Sequence, residues 1–428
     1  MKIFILCVFI LTYALIVALP KFKTIITGVS AVVCGAGCLI AGSITFKELF
    51  LAIDFNVVLM LLGIMITVGI FSDSGMPNKL ADKLVAKIPS SLAAFIILSV
   101  LSGFVSAFID NVATVLMIAP IGLAVAKKAE VSPVPVIISI AVSSNLQGAA
   151  TLVGDTTSIM LGSYADMSFT DFFFLDGKLS IFWAVELGAL LTIPVLMFIF
   201  RKDNKKIRLA EENIQVKSIF PTVLLLLNIA LLIGFSFIPN KIETTNGITC
   251  VAIAAAGLVW YVIKNKGATR KMLAESVDYA TVLFLVFLFL IVATVEKVGI
   301  IADISEMFIK IGAGNVFLLY TLIVFGSVLF SAVIDNIPFV ATMLPVIEGL
   351  AAGLSDVSPY LLYFGLLCGA TLGGNLTPVG ASANVVGIGV LQKEGYTVKN
   401  SDFFKIGIPF TLVAVLGGYA LVWLVWGI

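Results

Sequence analysis

The chain has 428 residues, of which 60% are hydrophobic and 12% charged; Lys and Arg together number 26, Asp and Glu 25, and the net charge is +1. Soluble globular chains are typically about 45–50% apolar and about 25% charged. A mean hydropathy of +1.16 therefore excludes an ordinary soluble enzyme, a disordered chain and a nucleic-acid-binding protein. A helical membrane protein remains, with length for on the order of ten to twelve passages at about 20 apolar residues each.

Hydropathy predicts full-length spans near 3–19, 24–42, 55–72, 180–200, 219–238, 247–263, 279–298 and 406–427. The first 20 residues read as a span rather than a signal peptide, because Lys2 is the only basic residue before the apolar run and no A-x-A site follows. Two regions, 91–165 and 313–392, are apolar but interrupted by Asp, Asn, Gly, Pro and Thr. Such interruptions are tolerated at membrane depth where backbone is buried in protein or lines a wet cavity. Each region is read as a re-entrant hairpin followed by a broken span. The first hairpin covers about 91–126, turning at Asp110-Asn111, and the first broken span about 132–165, open around 145–157. The second hairpin covers about 313–352, turning at Asp335-Asn336, and the second broken span about 359–392, open around 373–384. Short amphipathic helices at 76–88 and 300–310 precede the hairpins; the first sets Leu80, Leu84, Val85 and Ile88 against Lys79, Asp82, Lys83 and Lys87.

With both termini outside, 20 basic residues fall in cytoplasmic segments and 6 outside, as the positive-inside rule expects. The cytoplasmic set includes Lys21 and Lys23, Arg208 and Lys266.

The two interrupted regions are copies. Ser106-Ala107-Phe108-Ile109-Asp110-Asn111-Val112 matches Ser331-Ala332-Val333-Ile334-Asp335-Asn336-Ile337, and Pro120 matches Pro345. Gly148-x-x-Thr151-x-Val153-Gly154 matches Gly374-x-x-Thr377-x-Val379-Gly380, Asp171-Phe172-Phe173 matches Asp402-Phe403-Phe404, and Asp54-Phe55 matches Asp278-Tyr279. Four blocks in one order give two repeats, 1–200 and 219–428, joined by a basic cytoplasmic linker, 201–218. The fold class is thus an all-α polytopic membrane protein of two repeats, each with five spans and one hairpin. Five is odd, so the repeats have opposite orientation, an arrangement characteristic of transporters with a midplane site.

A carboxylate at a hairpin tip is costly unless paired, protonated or bound to a cation. Asp110 and Asp335 are therefore read as ion-coupling carboxylates, with Asn111 and Asn336 beside them; these four form the expected Na⁺ site. Thr114, Ser106 and Ser331 add hydroxyls nearby. Asn145, Gln147, Gly148, Thr151, Gly154, Asp155, Thr156, Thr157 and Ser158 form the polar break of the first repeat; Gly373, Gly374, Asn375, Thr377, Pro378, Gly380, Ser382 and Asn384 form that of the second. Asp155 aligns with Ala381 and Ser158 with Asn384, so the third carboxylate belongs to one half alone. Glu186, inside an apolar run, either reaches an interior partner or snorkels. No Lys or Arg is expected at midplane depth, so a cation, a proton or a neutral solute is the easier cargo.

Histidine is absent and no nucleophile–base pair is recognisable, which argues against an enzyme. No phosphate-binding G-x-x-x-x-G-K-[ST] is present, which argues against ATP-driven pumping. No cofactor is expected beyond a coupling Na⁺ or H⁺. Cys7, Cys34, Cys38, Cys250 and Cys368 lie in apolar stretches and indicate no disulfide framework. The expected surroundings are a lipid bilayer and a small ion or solute, with no nucleic acid.

At 106–120, 145–158, 331–345 and 373–386 the chain resembles the ion transporter superfamily, which includes arsenite permeases, the P protein, NhaD-type sodium/proton antiporters and divalent-anion/sodium symporters. It is most similar to the arsenite-permease and P-protein branch, and the run Gly380-Ala381-Ser382-Ala383-Asn384-Val385-Val386 is particularly like the latter. The resemblance implies a scaffold, a mobile subdomain carrying both hairpins, elevator-type alternating access and a homodimer, in a bacterial or archaeal plasma membrane. The symporter branch carries Ser-Asn-Thr at the tips, where this chain has Asp110-Asn111-Val112 and Asp335-Asn336-Ile337. The P-protein branch carries Asp-Pro-Pro-Asn, where this chain has Asp155-Thr156-Thr157-Ser158. The expected function is secondary transport of a small inorganic ion or metalloid coupled to H⁺ or Na⁺. Alternatives are a Na⁺/H⁺ antiporter, a Na⁺-coupled dicarboxylate or sulfate symporter and a passive channel.

Overall fold

The computed structural model describes residues 1–207, 214–239, 241–265, 267–312, 314–354 and 358–427. Arg208 and the rest of 208–213 in the expected linker, Lys266, and the boundary residues 313 and 428 lie outside the described residues.

Twenty α-helices follow one another among the described residues. The first ten are α1 (Lys2–Ala18), α2 (Lys23–Ile40), α3 (Phe46–Leu51), α4 (Phe55–Asp73), α5 (Met76–Ala86), α6 (Ser91–Ser106), α7 (Asn111–Lys128), α8 (Pro133–Gln147), α9 (Thr156–Tyr164) and α10 (Ile181–Phe200). The second ten are α11 (Phe220–Ser236), α12 (Thr245–Lys264), α13 (Thr269–Ser276), α14 (Tyr279–Lys297), α15 (Ile300–Gly312), α16 (Val316–Ser331), α17 (Asn336–Ala352), α18 (Pro359–Gly373), α19 (Ser382–Lys393) and α20 (Asn400–Trp426). The two series run in step. The α6 and α16 helices have 16 residues each, and α8 and α18 have 15 each. Asp54 caps α4 through the Val57 N–H, and Asp278 caps α14 through the Thr281 N–H, which satisfies otherwise orphaned donors of the first turn. Pro120 and Pro345 sit inside α7 and α17.

Among the described residues, seven helical stretches are long and apolar enough to cross a bilayer: Pro20–Ile40, Phe46–Asp73, Asn111–Lys128, Ile181–Phe200, Thr245–Lys264, Tyr279–Lys297 and Asn400–Trp426. At about 1.5 Å per residue, α6 and α16 fall short of a hydrocarbon core of about 30 Å. The short helices α8 and α18 are buried along almost their whole length, and α8 takes Ser139, Ser143, Ser144, Asn145 and Gln147 inside with it. They form the centre of the molecule, flanked by α6 and α16 and closed by α10 and α20.

A second set of contacts joins the two series reciprocally: α2 packs along α14, and α12 packs along α4. The latter contact is close because Gly63 has no side chain; a Cβ there would lie 2.4 Å from the carbonyl carbon of Cys250.

A short β-hairpin interrupts the predominantly helical chain. Phe174–Leu175 pairs antiparallel with Lys178–Leu179, and the intervening Asp176 and Gly177 both have positive φ, 52° and 74°, as a two-residue Asp-Gly hairpin requires. Residues 203–207, just after α10, are held at the start of α6: the Ile207 N–H donates to the Pro89 carbonyl, the Ser91 N–H donates to the Lys205 carbonyl, and the Ser91 hydroxyl donates to the Asp203 carbonyl. The α5 helix buries Ala81 and Val85, while Leu80 and Leu84 stay exposed.

Candidate functional site

Two similar frames form where the helices break. Residues 107–110 join α6 to α7, and residues 332–335 join α16 to α17. Against each turn lies the break of the neighbouring helix. The Thr151 hydroxyl donates to the Ala107 carbonyl, and the Thr377 hydroxyl donates to the Ala332 carbonyl at 2.6 Å. The Ser158 hydroxyl donates to Gly148 O at 3.1 Å, while the aligned Asn384 uses its amide to reach Gly374 O at 3.2 Å. Different side chains thus serve equivalent carbonyls freed by the break. A Cβ at Gly154 would lie 2.6 Å from Gly148 O and 2.9 Å from Ala107 O; one at Gly380 would lie 2.6 Å from Gly374 O and 3.1 Å from Ala332 O.

The frames meet through buried amides. Asn145 Nδ2 donates to Thr371 O at 2.7 Å and to Asn375 Oδ1 at 3.1 Å, and Asn375 Nδ2 donates back to Val142 O at 2.8 Å. Asn111 Nδ2 donates to Asn145 Oδ1 at 3.1 Å. Thr157 donates to Asp155 Oδ2 at 3.0 Å, and Asn336 Nδ2 reaches the same oxygen at 3.0 Å. Asp155 also accepts from the Thr156 N–H at 2.8 Å and so caps α9. The aligned Ala381 cannot cap α19.

These groups border a cavity of about 500 Å³. Seven of the expected site residues line it: Asp110, Asn111, Asn145, Asp155, Thr156, Asn336 and Ser382. Asp110 Oδ1 accepts from the Val112 and Ala113 N–H groups at 3.0 and 3.1 Å, so it caps α7 while facing the cavity. Glu275 and Asp278 line the same space, and among the described residues no lysine or arginine does. Four acidic side chains around one chamber without a basic one concentrate negative potential and favour a cation. Among the described residues no three His, Cys, Asp or Glu side chains gather as a metal site. A small cation here would rely on carboxylate together with amide and hydroxyl oxygens, a hard donor set.

Eleven expected residues lie away from this cavity. Thr151, Gly154, Gly374, Thr377, Gly380 and Asn384 build the frames, Gly148 supplies an acceptor, and Asn375 ties the frames together. Thr114 is buried on α7 with an unpartnered hydroxyl, and Gln147 faces a separate small cavity. Asp335 departs most from expectation: Lys23 Nζ lies 2.6 Å from its Oδ2, and it is absent from the cavity wall. The expectation that no basic group reaches the tips is corrected by Lys23, which comes from the start of α2 and also lies 5.2 Å from the Phe284 ring centroid. Sequence reading missed Glu275 and Asp278 as wall residues. Asp278 was visible as a repeat anchor, but its role came from the tertiary contact of α4 with α13.

The family model described as "Citrate transporter" matches residues 6–369. The chain belongs to the citrate transporter family. It is 31% identical to a 46 kDa membrane protein of Mycobacterium leprae over 99% of both chains, and 31% identical, again over 99% of both, to an uncharacterized transporter of Mycobacterium tuberculosis. The human P protein is 26% identical over 86% of this chain and 53% of its own length. In fold, this family member is similar to the YdaH transporter of Alcanivorax borkumensis, with a TM-score of 0.62 and 16% identity over 89% of this chain and 88% of that one. It is thus a multi-pass membrane transporter related to the P protein.

Proposed function

We propose that this family member is a secondary active transporter working by alternating access, with Asp110, Asn111, Asn145, Asp155, Thr156, Asn336 and Ser382 forming its cargo and ion site. The observation that carries the reading is the acid-lined cavity where two similar helix breaks meet. The matched frame bonds support two inverted repeats, 1–200 and 219–428, each with a re-entrant hairpin. Reciprocal packing of α2 on α14 and α12 on α4 supports a scaffold separate from the helices around the breaks, which suits an elevator motion. The reading extends to a homodimer in a bacterial or archaeal plasma membrane with both termini outside.

The wall of Asp110, Asp155, Glu275 and Asp278 favours a cation or a neutral solute, with H⁺ or Na⁺ as the coupling ion and Asn111 beside Asp110 as the Na⁺ site. Asp335 and Asn336 form the corresponding pair in the state where Lys23 has withdrawn. The family's description gives a second reading, in which a carboxylate anion enters together with the cations that neutralise it.

The test is flux into proteoliposomes under imposed pH and Na⁺ gradients, across arsenite, Na⁺, Li⁺, sulfate, succinate and citrate with and without a divalent cation. A gradient-driven flux that Asp110→Asn abolishes is expected. Gradient-independent conductance far above about 10⁴ ions per second would instead indicate a channel, because alternating access needs μs–ms or slower rearrangements.

A further inference from the structure

We infer that Glu186 and Gln147 form a second binding site, for one unit of positive charge delivered as a proton or as Na⁺; the inference rests on the transporter reading and adds this site to the central one as a second coupling position. Glu186 is the only charged residue of the 20-residue α10. Among the described residues it has no hydrogen-bond or ion-pair partner. It borders a cavity of about 50 Å³ with Ser99, Gly103, Ser143, Gln147 and Thr192. That volume holds one small ion or one water, not a larger solute.

The second observation is independent of the carboxylate. Gln147 is 4% exposed, and its Oε1 is buried without a hydrogen-bond partner. Its amide is held in place because a Cβ at Gly103 would already lie 3.0 Å from Gln147 Cδ. The elements packed on α10 here, α6, α8 and α20, bring no charged or titratable side chain to the space. Glu186 as carboxylate is an acceptor, and so is Gln147 Oε1. A half-buried carboxylate and a buried amide oxygen facing one void are satisfied together by a shared donor or cation. A protonated carboxyl gives its O–H to the amide oxygen; a bound Na⁺ is ligated by both.

Position gives the site its consequence. Gln147 is the last residue of α8, directly before the break at 148–155, and Asn145 two residues earlier lines the acid-walled cavity. A charge captured at Glu186 pulls on Gln147 and hence on the segment carrying Asn145 and Asp155. Occupancy of the two sites is thereby linked, and linkage is reciprocal.

The test uses the purified full-length protein. Thermal stability is followed against Na⁺ at fixed alkaline pH with choline as replacement, and against pH in choline alone, with flux measured on the same preparations. If the charge is Na⁺, Na⁺ stabilises the protein, and Glu186→Gln removes the part of that response that Asp110→Asn retains; if it is a proton, the corresponding part of the pH response is the one removed. Gln147→Leu keeps the carboxylate and shifts the half-saturating concentration by about tenfold, the effect of losing one bond to a charged group. Asp110→Asn leaves the Glu186 response present, so loss of flux in that variant tests the central site separately. Unaltered pH and Na⁺ responses in both Glu186→Gln and Gln147→Leu would overturn the inference and leave a structural water as the occupant. Should Glu186→Gln fail to fold, Gln147→Leu decides alone.

Discussion

Lys23 Nζ lies 2.6 Å from Asp335 Oδ2, and so ties the first residue of α2 to the turn between α16 and α17. The pair is shielded, with side-chain exposures of 22% and 17%. Removing one partner strands the other in a poorly solvated position. Lys23→Gln should lower stability by about 2–3 kcal/mol, the scale of a hydrogen bond to a charged group. The double variant Lys23→Gln with Asp335→Asn should recover most of that, because no unpaired charge remains. Thermal unfolding of all four proteins measures the coupling, and simple additivity of the two single variants would rule out a shared interaction.

The helix breaks were legible because each is a local event. Asp before Asn ends one helix and caps the next, and glycine with threonine opens the following one, so the sequence alone located residues 107–110, 332–335 and both breaks. The partners across the fold were not legible. Lys23 counts as a basic loop residue in any window of sequence, and only the packing of α2 against α14 carries its ammonium to Asp335. The same limit hid Glu275 and Asp278, whose place on the cavity wall depends on α13 meeting α4. Identical motifs also disguised unequal roles: Asp110 faces the cavity while Asp335 is paired.

Asp155 stands in one half only and carries most of that inequality. It accepts from the Thr156 N–H, the Thr157 hydroxyl and the Asn336 amide, and it still borders the cavity. Asp155→Asn keeps the shape and removes the charge. Flux should fall about tenfold to a hundredfold, which corresponds to losing one charge-assisted contact of about 1.5–3 kcal/mol. Flux assays at matched protein incorporation check this, and undiminished flux would remove Asp155 from the site.

Gly154 and Gly380 are predicted to fail alike. A methyl at either position meets three backbone carbonyl oxygens, at 2.6, 2.9 and 3.0 Å for Gly154 and at 2.6, 3.0 and 3.1 Å for Gly380. Backbone cannot swing aside as a side chain can, so overpacking of about 1–3 kcal/mol is expected for each alanine. The two losses should agree closely in thermal melts, because the surroundings match. A large cost at one glycine and none at the other would show that the frames are not mechanically equivalent.

Asn145 and Asn375 separate stability from function. Both are fully buried. Asn145 accepts from Asn111 and donates to Thr371 O and Asn375 Oδ1, while Asn375 donates to Val142 O and accepts from Asn145 and from Asn384 at 3.4 Å. Each alanine variant strands buried polar groups, at about 1–3 kcal/mol per group left unsatisfied. The double variant should cost less than the sum by about 1 kcal/mol, since the bond between the two side chains is counted in both single variants. Function should divide differently. Asn145 lines the acid-walled cavity and Asn375 does not. Flux per folded molecule should therefore fall in Asn145→Ala and hold in Asn375→Ala. The comparison needs flux normalised to the folded fraction in each preparation. Equal loss in both would mean that the amide bridge between the frames, rather than the cavity wall, sets the transport rate.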